Sequence, residues 1–188
     1  MIPDIQLSFT GATLRPLSPN DIHLGYVEGL NDPDVNRYLD GVKRSTQTIQ
    51  SVIDFVKGNS DSSDCILWGI WQEGEPYHCG TVRLHGINLL HRTANIGVCL
   101  FEKNAWGKRI GSKAIDVVTQ WALYDLNLRW VEAAAYVDNI ASQKAFLAAG
   151  YAWIYDIPKK YLLDGIPTTA KVFVARRDMP DSLNFPND

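Results

Sequence analysis

A turn rich in small and basic residues occurs at Trp106-Gly107-Lys108-Arg109-Ile110-Gly111-Ser112. It leaves the predicted strand Ala94 to Phe101 and opens a helical pattern from Gly107 to about Leu126, in which apolar residues recur at three- and four-residue spacing. Backbone amides at a helix start lack intrahelical partners, and the helix dipole favours negative charge there. Nearby Lys103 and Lys113 add positive charge. The sequence therefore predicts an anion site at this turn; a solvated basic turn with one packing glycine is the alternative.

The rest of the chain alternates between strand and helix patterns. One strand and two helices come first, a three-stranded meander follows, and a strand between two helices leads to a closing antiparallel pair. The predicted strands are Thr13 to Leu17, Cys65 to Trp71, Tyr77 to Leu84, Ala94 to Phe101, Arg129 to Val137, Tyr151 to Ile157 and Thr169 to Arg176. The predicted helices are those from Ser18 to about Leu30, Ser45 to Lys57, Gly107 to about Leu126 and Asn139 to Ala149.

A second segment with a recognisable pattern follows the predicted strand Arg129 to Val137. It reads Asn139-Ile140-Ala141-Ser142-Gln143-Lys144-Ala145-Phe146-Leu147-Ala148-Ala149-Gly150-Tyr151. Together with the first segment it resembles the GNAT family of N-acetyltransferases, whose loop Q/R-x-x-G-x-G/A leads through a helix and a strand to N-x-x-(S)-x-x-x-(Y/F)-x-x-x-G-(F/Y). The combination of Trp106-Gly107-Lys108 with Asn139 and Ser142 is similar to the subgroup of ribosomal-protein N-terminal (Rim-type) acetyltransferases.

The resemblance implies the GNAT fold, an α/β (α+β) architecture. We expect a central, mostly antiparallel twisted sheet of six or seven strands, flanked by about four helices and splayed between its fourth and fifth strands. Gly97 is expected to form a bulge in the fourth strand that opens this slot. We expect a single domain over residues 1–178 and a frayed tail over 179–188.

The cosubstrate implied by the family is acetyl-coenzyme A, with no metal. Its pantetheine arm would lie like an extra strand against the fourth strand, at Val98, Cys99 and Leu100. The resemblance places its pyrophosphate on the loop residues Trp106, Gly107, Lys108, Arg109, Ile110, Gly111 and Ser112. Asn139 would bond the cofactor arm, or would serve only as a helix N-cap.

The chain departs from the family pattern in both segments. In the loop, Trp106 stands where Gln or Arg is usual, and Arg109 stands where glycine is usual, leaving Gly111 as the retained closing glycine. Arg109 makes backbone approach less free unless the arginine itself contacts a phosphate. Phe146 stands where many members have the tyrosine thought to protonate the leaving thiolate, and a phenyl ring cannot donate a proton. Ser142 is our first candidate for that donor, although its hydroxyl could simply bond the backbone, and Tyr136 is the second.

Candidates for the base and the acceptor pocket are less sharply defined. Glu132 and Tyr136 lie four apart on a strand and therefore share a face, so Glu132 is a candidate base or an exposed strand residue. His85, after its predicted strand, is a further candidate for the acceptor slot. Polar residues between the first two helices would suit a polar amine or serve as caps and turns: Asp32, Asp34, Arg37, Tyr38 and Asp40.

Composition excludes several classes of partner. The 188 residues carry a formal charge of −3, so we expect neither nucleic-acid nor membrane binding. Met1 to Asp4 does not begin a signal-peptide pattern, which predicts a cytoplasmic protein. Three widely spaced cysteines suggest no disulfide framework, and His23, His78 and His91 lack metal-ligand spacing.

The sequence thus predicts an acetyl-coenzyme A dependent N-acetyltransferase acting by direct attack in a ternary complex. Its acceptor would be a primary amine: a protein N-terminus, an amino sugar, a polyamine or a small metabolite. A noncatalytic acyl-coenzyme A binding or regulatory module is the alternative. A dinucleotide-binding enzyme is disfavoured because G-x-G-x-x-G is missing. Trp153, Tyr155 and Tyr161 offer apolar surface for a possible homodimer.

Overall fold

One eight-stranded sheet organises the chain in the computed structural model, which describes residues 5–177. The strands are β1 (Leu7–Phe9), β2 (Ala12–Pro16), β3 (Cys65–Gln72), β4 (His78–Asn88), β5 (Thr93–Leu100), β6 (Trp130–Tyr136), β7 (Ala152–Leu163) and β8 (Ile166–Arg176). The α-helices are α1 (Leu24–Asn31), α2 (Pro33–Asn36), α3 (Asp40–Lys43), α4 (Ile49–Ser60), α5 (Ile110–Tyr124) and α6 (Ile140–Ala148). Short 3-10 turns lie at Pro19–Asp21 and Lys103–Ala105.

The predicted architecture is confirmed, with small differences in number. The strand order is β1-β2-β3-β4-β5-β6-β8-β7, and each neighbouring pair is antiparallel except β5 and β6. There are eight strands rather than six or seven because the short hairpin arm Leu7–Phe9 pairs with β2. There are six α-helices rather than about four because α2 and α3 are single turns. The predicted tail 179–188 lies outside the described residues.

The slot predicted between the fourth and fifth strands of the family fold lies between β5 and β6. These parallel strands pair only from Thr93 with Trp130 to Asn95 with Glu132, and then separate. The expected bulge at Gly97 is wrong, because Gly97 stays in register with Arg83 of β4. The irregularity instead lies in β4, between His85 and Asn88. The strands therefore part without a distortion at the glycine.

The two faces of the sheet carry separate apolar cores. On one face α5 and α6 pack over the sheet through residues such as Ile115, Val118 and Phe146. On the other face α1 and α4 pack over β3 through Tyr26, Val56 and Leu67 among others.

His78 is a buried imidazole within the second face. It is 1% exposed, contacts Tyr26, Trp71 and Phe101 ring to ring, and neither of its nitrogens has a hydrogen-bond partner within the described residues. Burial in this aromatic surrounding, the largest cause, lowers the pKa of His78 from 6.5 to about 3. The folded protein therefore holds this side chain neutral at any pH near 7.

Acidification is expected to destabilise the fold through His78. Above pH 6.5 the imidazole is neutral in both states; below it the unfolded chain gains a proton that the folded chain rejects until about pH 3. The free energy of unfolding should fall by about 1.4 kcal/mol per pH unit below 6.5 from this group alone. Chemical denaturation at several pH values measures the slope, and His78→Phe should flatten it. An imidazole NMR titration showing His78 protonated in the folded protein near pH 6 contradicts the expectation.

Candidate active site

The cosubstrate side of the slot is formed by the free edge of β5. Beyond Asn95 no strand within residues 5–177 pairs with this edge, so its backbone groups are open toward β6. Val98, Cys99 and Leu100, the three residues expected to hold the pantetheine arm, are all half-buried along this edge. An amide-rich ligand can bond to such a backbone edge as an added strand would.

The loop after β5 turns sharply before α5 begins. Gly107 and Arg109 both adopt left-handed backbone conformations, with φ of 72° and 61°. The sequence pattern predicts a helix that begins at Gly107. In the structure the helix begins at Ile110. Arg109 holds the conformation that glycine adopts freely, at a cost of about 1–2 kcal/mol. The loop thus keeps its glycine-like shape although the residue has changed.

The first turn of α5 has no side-chain cap, since Arg109 stands at the N-cap position. Its amides are therefore left for another acceptor. The hydroxyl of Ser112 donates to the carbonyl of Arg109 at 3.0 Å, and the indole of Trp106 donates to the carbonyl of Leu100 at 2.9 Å. The first bond lies within the turn and the second ties the loop to β5, while Ile110, Gly111 and Ser112 at the helix start are buried.

Gly111 faces the sheet rather than open solvent. A Cβ placed there would contact the side chain of Leu100 at 3.4 Å and that of Val98 at 3.9 Å. Both are residues of the free β5 edge. A larger side chain at this position would therefore press on Leu100 and Val98.

Basic residues around the loop fall into two groups. Lys103 lies 2.7 Å from both Asp32 and Asp34, and these bonds raise the pKa of Lys103 and lower that of Asp32. Lys108 and Arg109 are exposed and have no ionic partner within residues 5–177. The positive charge that remains unpaired in the loop itself is thus at Lys108 and Arg109.

The start of α6 carries the candidate proton donor. The side chain of Asn139 accepts from the amide of Ser142 at 3.1 Å, so Asn139 is the N-cap. The hydroxyl of Ser142 is half-buried and makes no hydrogen bond within the described part of the chain. The alternative interpretation was that this hydroxyl bonds to the backbone, and the structure has no such bond among the described residues.

Phe146 belongs to the core. It is 3% exposed, and its ring lies 5.6 Å from that of Tyr151 and 5.9 Å from that of Phe173. Its phenyl ring has no proton to donate, and its side chain is packed in the core. Phe146 therefore cannot act in proton transfer.

A row of polar side chains lies on the face of the sheet opposite α5, at the point where β5 and β6 part. His85 pairs with Asn95, and Asn95 pairs with Glu132, while the alternating residues of the three strands belong to the core under α5. Glu132 is half-buried and has neither a hydrogen bond nor an ion pair within residues 5–177. Burial, with Arg83 as a smaller cause, lowers the pKa of His85. The row therefore holds a histidine whose lowered pKa leaves it neutral and able to accept a proton at pH 7, next to the carboxylate of Glu132.

Tyr136 points to the same face as Glu132 and is bonded there. Its hydroxyl donates to the carboxylate of Asp40 in α3. Its ring packs against Tyr161 at 4.8 Å and Tyr38 at 5.4 Å. Tyr161 is thus half-buried in this cluster and not part of an outer surface, whereas Trp153 and Tyr155 are 53% and 44% exposed on β7.

Comparison with known proteins identifies the family. The model of the acetyltransferase (GNAT) domain family matches residues 12–152. The chain belongs to the GNAT family. It is 26% identical over 140 residues to the uncharacterized N-acetyltransferase YoaA of Bacillus subtilis. The matched region covers 73% of this chain and 77% of that protein.

Solved structures of other acetyltransferases share this GNAT fold. A ribosomal L7/L12 alpha-N-protein acetyltransferase, RimL, in complex with coenzyme A has a TM-score of 0.80 at 16% identity, covering 93% of this chain and 97% of that one. A spermidine N-acetyltransferase from Vibrio cholerae, with coenzyme A and spermine, has a TM-score of 0.77 at 15% identity, covering 89% and 96%. The expected likeness to Rim-type enzymes is thereby confirmed at the level of the fold.

The residues predicted for this GNAT site lie on elements that border the slot or lead into α5. Val98, Cys99 and Leu100 lie on β5, the predicted loop runs into the start of α5, and Glu132 and Tyr136 share one face of β6. The five polar residues between the first helices separate. Asp32 and Asp34 pair with Lys103, whereas Tyr38 bonds to the carbonyl of Asp138 and Asp40 accepts from Tyr136. The guanidinium of Arg37 lies over the ring of Tyr38. The role of Tyr161 was missed, because no local pattern links it to Tyr136.

Two negative findings bear on partners. Within residues 5–177 no group of three or more histidine, cysteine, aspartate or glutamate side chains is arranged to hold a metal ion. None of the described helices has the length and apolarity that crossing a bilayer requires.

Proposed function

We propose that the protein transfers the acetyl group of acetyl-coenzyme A directly to a primary amine while both are bound. The observation that carries this proposal is the slot between β5 and β6, which has a free strand edge and an uncapped helix start on one side and unpaired polar groups on the other. A thioester threaded through the slot would meet an amine arriving from the opposite face. Positioning of this kind is a large part of the catalysis of a two-substrate reaction.

The chemistry requires one proton to be removed and one to be supplied. The amine nitrogen attacks the thioester carbon, and a C–N bond forms as the C–S bond breaks. Glu132 is the proposed group that takes the proton from the amine, directly or through a water molecule. Ser142 is the proposed donor to the departing thiolate, with Tyr136 second because its proton is directed at Asp40.

Binding roles are proposed for the residues that line the cosubstrate side. The backbone of Val98, Cys99 and Leu100 would hold the pantetheine arm, and Asn139 would add a bond or act only as the cap of α6. The pyrophosphate would lie on the α5 amides, reached through the loop residues Trp106, Gly107, Lys108, Arg109, Ile110, Gly111 and Ser112. The positive charge of this loop and the free amides at the start of α5 would both favour the binding of an anion.

The acceptor remains the open part of the proposal. The structural neighbours act on spermidine and on the ribosomal protein L7/L12. A protein N-terminus, a polyamine, an amino sugar or a small amine all fit the reaction. The prediction of a cytoplasmic protein stands beside it as an expectation.

A screen of amines and N-terminal peptides tests the function. The protein is incubated with acetyl-coenzyme A and each acceptor, and mass spectrometry reports a product heavier by one acetyl group. Acetylation of at least one primary amine supports the proposal. Calorimetric binding of acetyl-coenzyme A without turnover on any acceptor would favour the noncatalytic binding module instead.

Gly111→Val is expected to weaken acetyl-coenzyme A binding more than tenfold. The valine methyl groups would extend beyond the 3.4 Å contact with Leu100 and displace the β5 edge and the α5 start together. Titration calorimetry measures the affinity. The matched control is Gly58→Val in α4, where an added Cβ meets nothing within 4 Å. Wild-type affinity in a folded Gly111→Val protein would refute the loop assignment.

A homodimer is a further expectation, now restricted to the β7 edge. Trp153 and Tyr155 stay exposed on this last strand of the sheet, whereas Tyr161 faces inward. Light scattering at micromolar concentration decides between a monomer and a dimer.

A further inference from the structure

Gly97 lies in the middle of β5, at a position where the fold does not require glycine. Its φ is outside the left-handed region that favours glycine, and its pairing with Arg83 of β4 is in register. A Cβ placed on Gly97 would meet no atom within 4 Å among the described residues. Glycine in a strand interior lowers stability, because it loses more backbone freedom on folding and has no side chain to pack. The presence of glycine at this position therefore needs a reason other than the fold.

Gly80, in the neighbouring strand β4, shows what a glycine required by packing looks like. A Cβ on Gly80 would lie 2.5 Å from the side chain of Leu100 and 2.6 Å from the carbonyl oxygen of Cys99. In general, a glycine inside a strand marks a bulge, a tight bend or the close approach of a backbone or a ligand. At Gly97 the ladder is continuous and, among the described residues, no backbone lies against it. The approach of a ligand is the reason that is left.

The open space at Gly97 lies on the same face of the sheet as the proposed base. Ala94 and Ile96 belong to the core under α5, so Asn95 and Gly97 project to the opposite face of β5. Asn95 pairs with Glu132 in the last pair before β5 and β6 part. Gly97 is the next residue on that face, about 7 Å further along the strand. An amine in contact with Glu132 would therefore lie beside Gly97.

We propose that Gly97 determines the size of the group that the acceptor carries on the carbon next to its reacting nitrogen. This inference rests on the proposed function, because it places the acceptor amine beside Glu132. The missing side chain leaves room for a substituent on that carbon, so amines branched there are accepted together with unbranched ones. A side chain at position 97 would occupy the same space. The pantetheine arm is spared, because it would bond to the backbone edge of β5 and not to this face.

Paired acceptors with and without a branch at that carbon test the inference. The pairs are isopropylamine with propylamine, peptide amides beginning Ala-Ser with Gly-Ser, and the acceptor found in the amine screen with its analogue differing by one methyl group on that carbon. Gly97→Val should lower the ratio of kcat/KM for the branched member to that for the unbranched member at least tenfold, since one methylene group in a pocket is worth about 10- to 200-fold. Gly97→Ala should lower it less. The affinity for acetyl-coenzyme A, measured by calorimetry, should stay within about twofold of wild type.

Thermal unfolding separates this role from a structural one. Gly97→Ala and Gly97→Val should melt at or slightly above the wild-type temperature, because each replaces a strand glycine without a clash. Gly80→Ala is the comparison variant and should melt lower, because its Cβ meets Leu100 and the carbonyl of Cys99. Gly58→Val adds the same side chain in α4, where an added Cβ meets nothing within 4 Å, and should leave the acceptor ratio unchanged.

Failure of this inference and failure of the proposed function give different results. An unchanged ratio in Gly97→Val, or a melting temperature as low as that of Gly80→Ala, overturns the role of Gly97 and leaves the acetyltransferase proposal intact. Acetyl-coenzyme A binding that weakens tenfold in Gly97→Val while the ratio stays unchanged would assign the space to the cosubstrate and also overturns it. If the wild-type protein binds acetyl-coenzyme A but acetylates no amine, the proposed function fails and this inference fails with it.

Discussion

Ser142→Ala is expected to lower kcat about 10²-fold, the lower end of what general acid catalysis contributes. The hydroxyl lies in the first turn of α6, half-buried and without a hydrogen-bond partner in the described residues. It is therefore free to donate to a bound thiolate. Because the bond would form only as the C–S bond breaks, the KM for acetyl-coenzyme A should change little. Steady-state kinetics, with chemistry confirmed as the slow step by single-turnover measurement, provides the values.

Two comparison variants make the result specific to the proton donor. Ser60→Ala removes an exposed serine hydroxyl in α4 and should leave kcat unchanged. Tyr136→Phe removes the second candidate. A full kcat in Ser142→Ala with a loss in Tyr136→Phe would make Tyr136 the donor, and two unchanged rates would assign the proton to water.

The architecture could be predicted because its signals are local. Apolar spacing in α4 and α5, strand composition in β3 to β6, and the turn at Asp164 and Gly165 each lie within a few residues of sequence. The two family segments then set the order in which these elements pair. The three-residue strand β1 was missed because its pattern is too short to separate from a loop.

The backbone conformation of the loop from Trp106 to Ser112 was harder to predict from the sequence. An arginine in the left-handed region is rare, and nothing in the sequence from Trp106 to Ser112 shows that Arg109 adopts this conformation. The helix start was consequently placed three residues early. The same limit applies to Gly97, where a strand glycine suggested a bulge although the ladder runs through it in register.

The acceptor side depends on contacts between distant residues. Tyr136 meets Asp40 across 96 positions of sequence, and Lys43 meets Asp164 across 121. Sequence reasoning placed Glu132 and Tyr136 on one face but left that face undetermined. It also grouped Asp32 with Asp40, whereas Lys103 draws Asp32 toward the cosubstrate loop. Such pairings follow from the tertiary arrangement of the strands and helices and not from periodicity.

Glu132→Gln is expected to lower kcat/KM for the acceptor about 10²-fold near pH 7, because an amide cannot accept the proton of the attacking amine. The substitution preserves size, and Glu132 has no bond within residues 5–177 whose loss would disturb the fold. Acetyl-coenzyme A affinity, measured by calorimetry, should therefore stay within about twofold of wild type, because only an interaction with the acceptor is removed. Glu28→Gln, on the exposed side of α1, serves as the control.

The pH dependence separates a base from a residue that only supplies negative charge. As the pH approaches the pKa of the acceptor amine, more of the amine is already neutral in solution, so the benefit of a protein base shrinks. The deficit of Glu132→Gln should therefore narrow at least fivefold between pH 7 and pH 10. A deficit that stays constant over this range would assign Glu132 to acceptor binding, and an undiminished rate at pH 7 would transfer the role of base to His85.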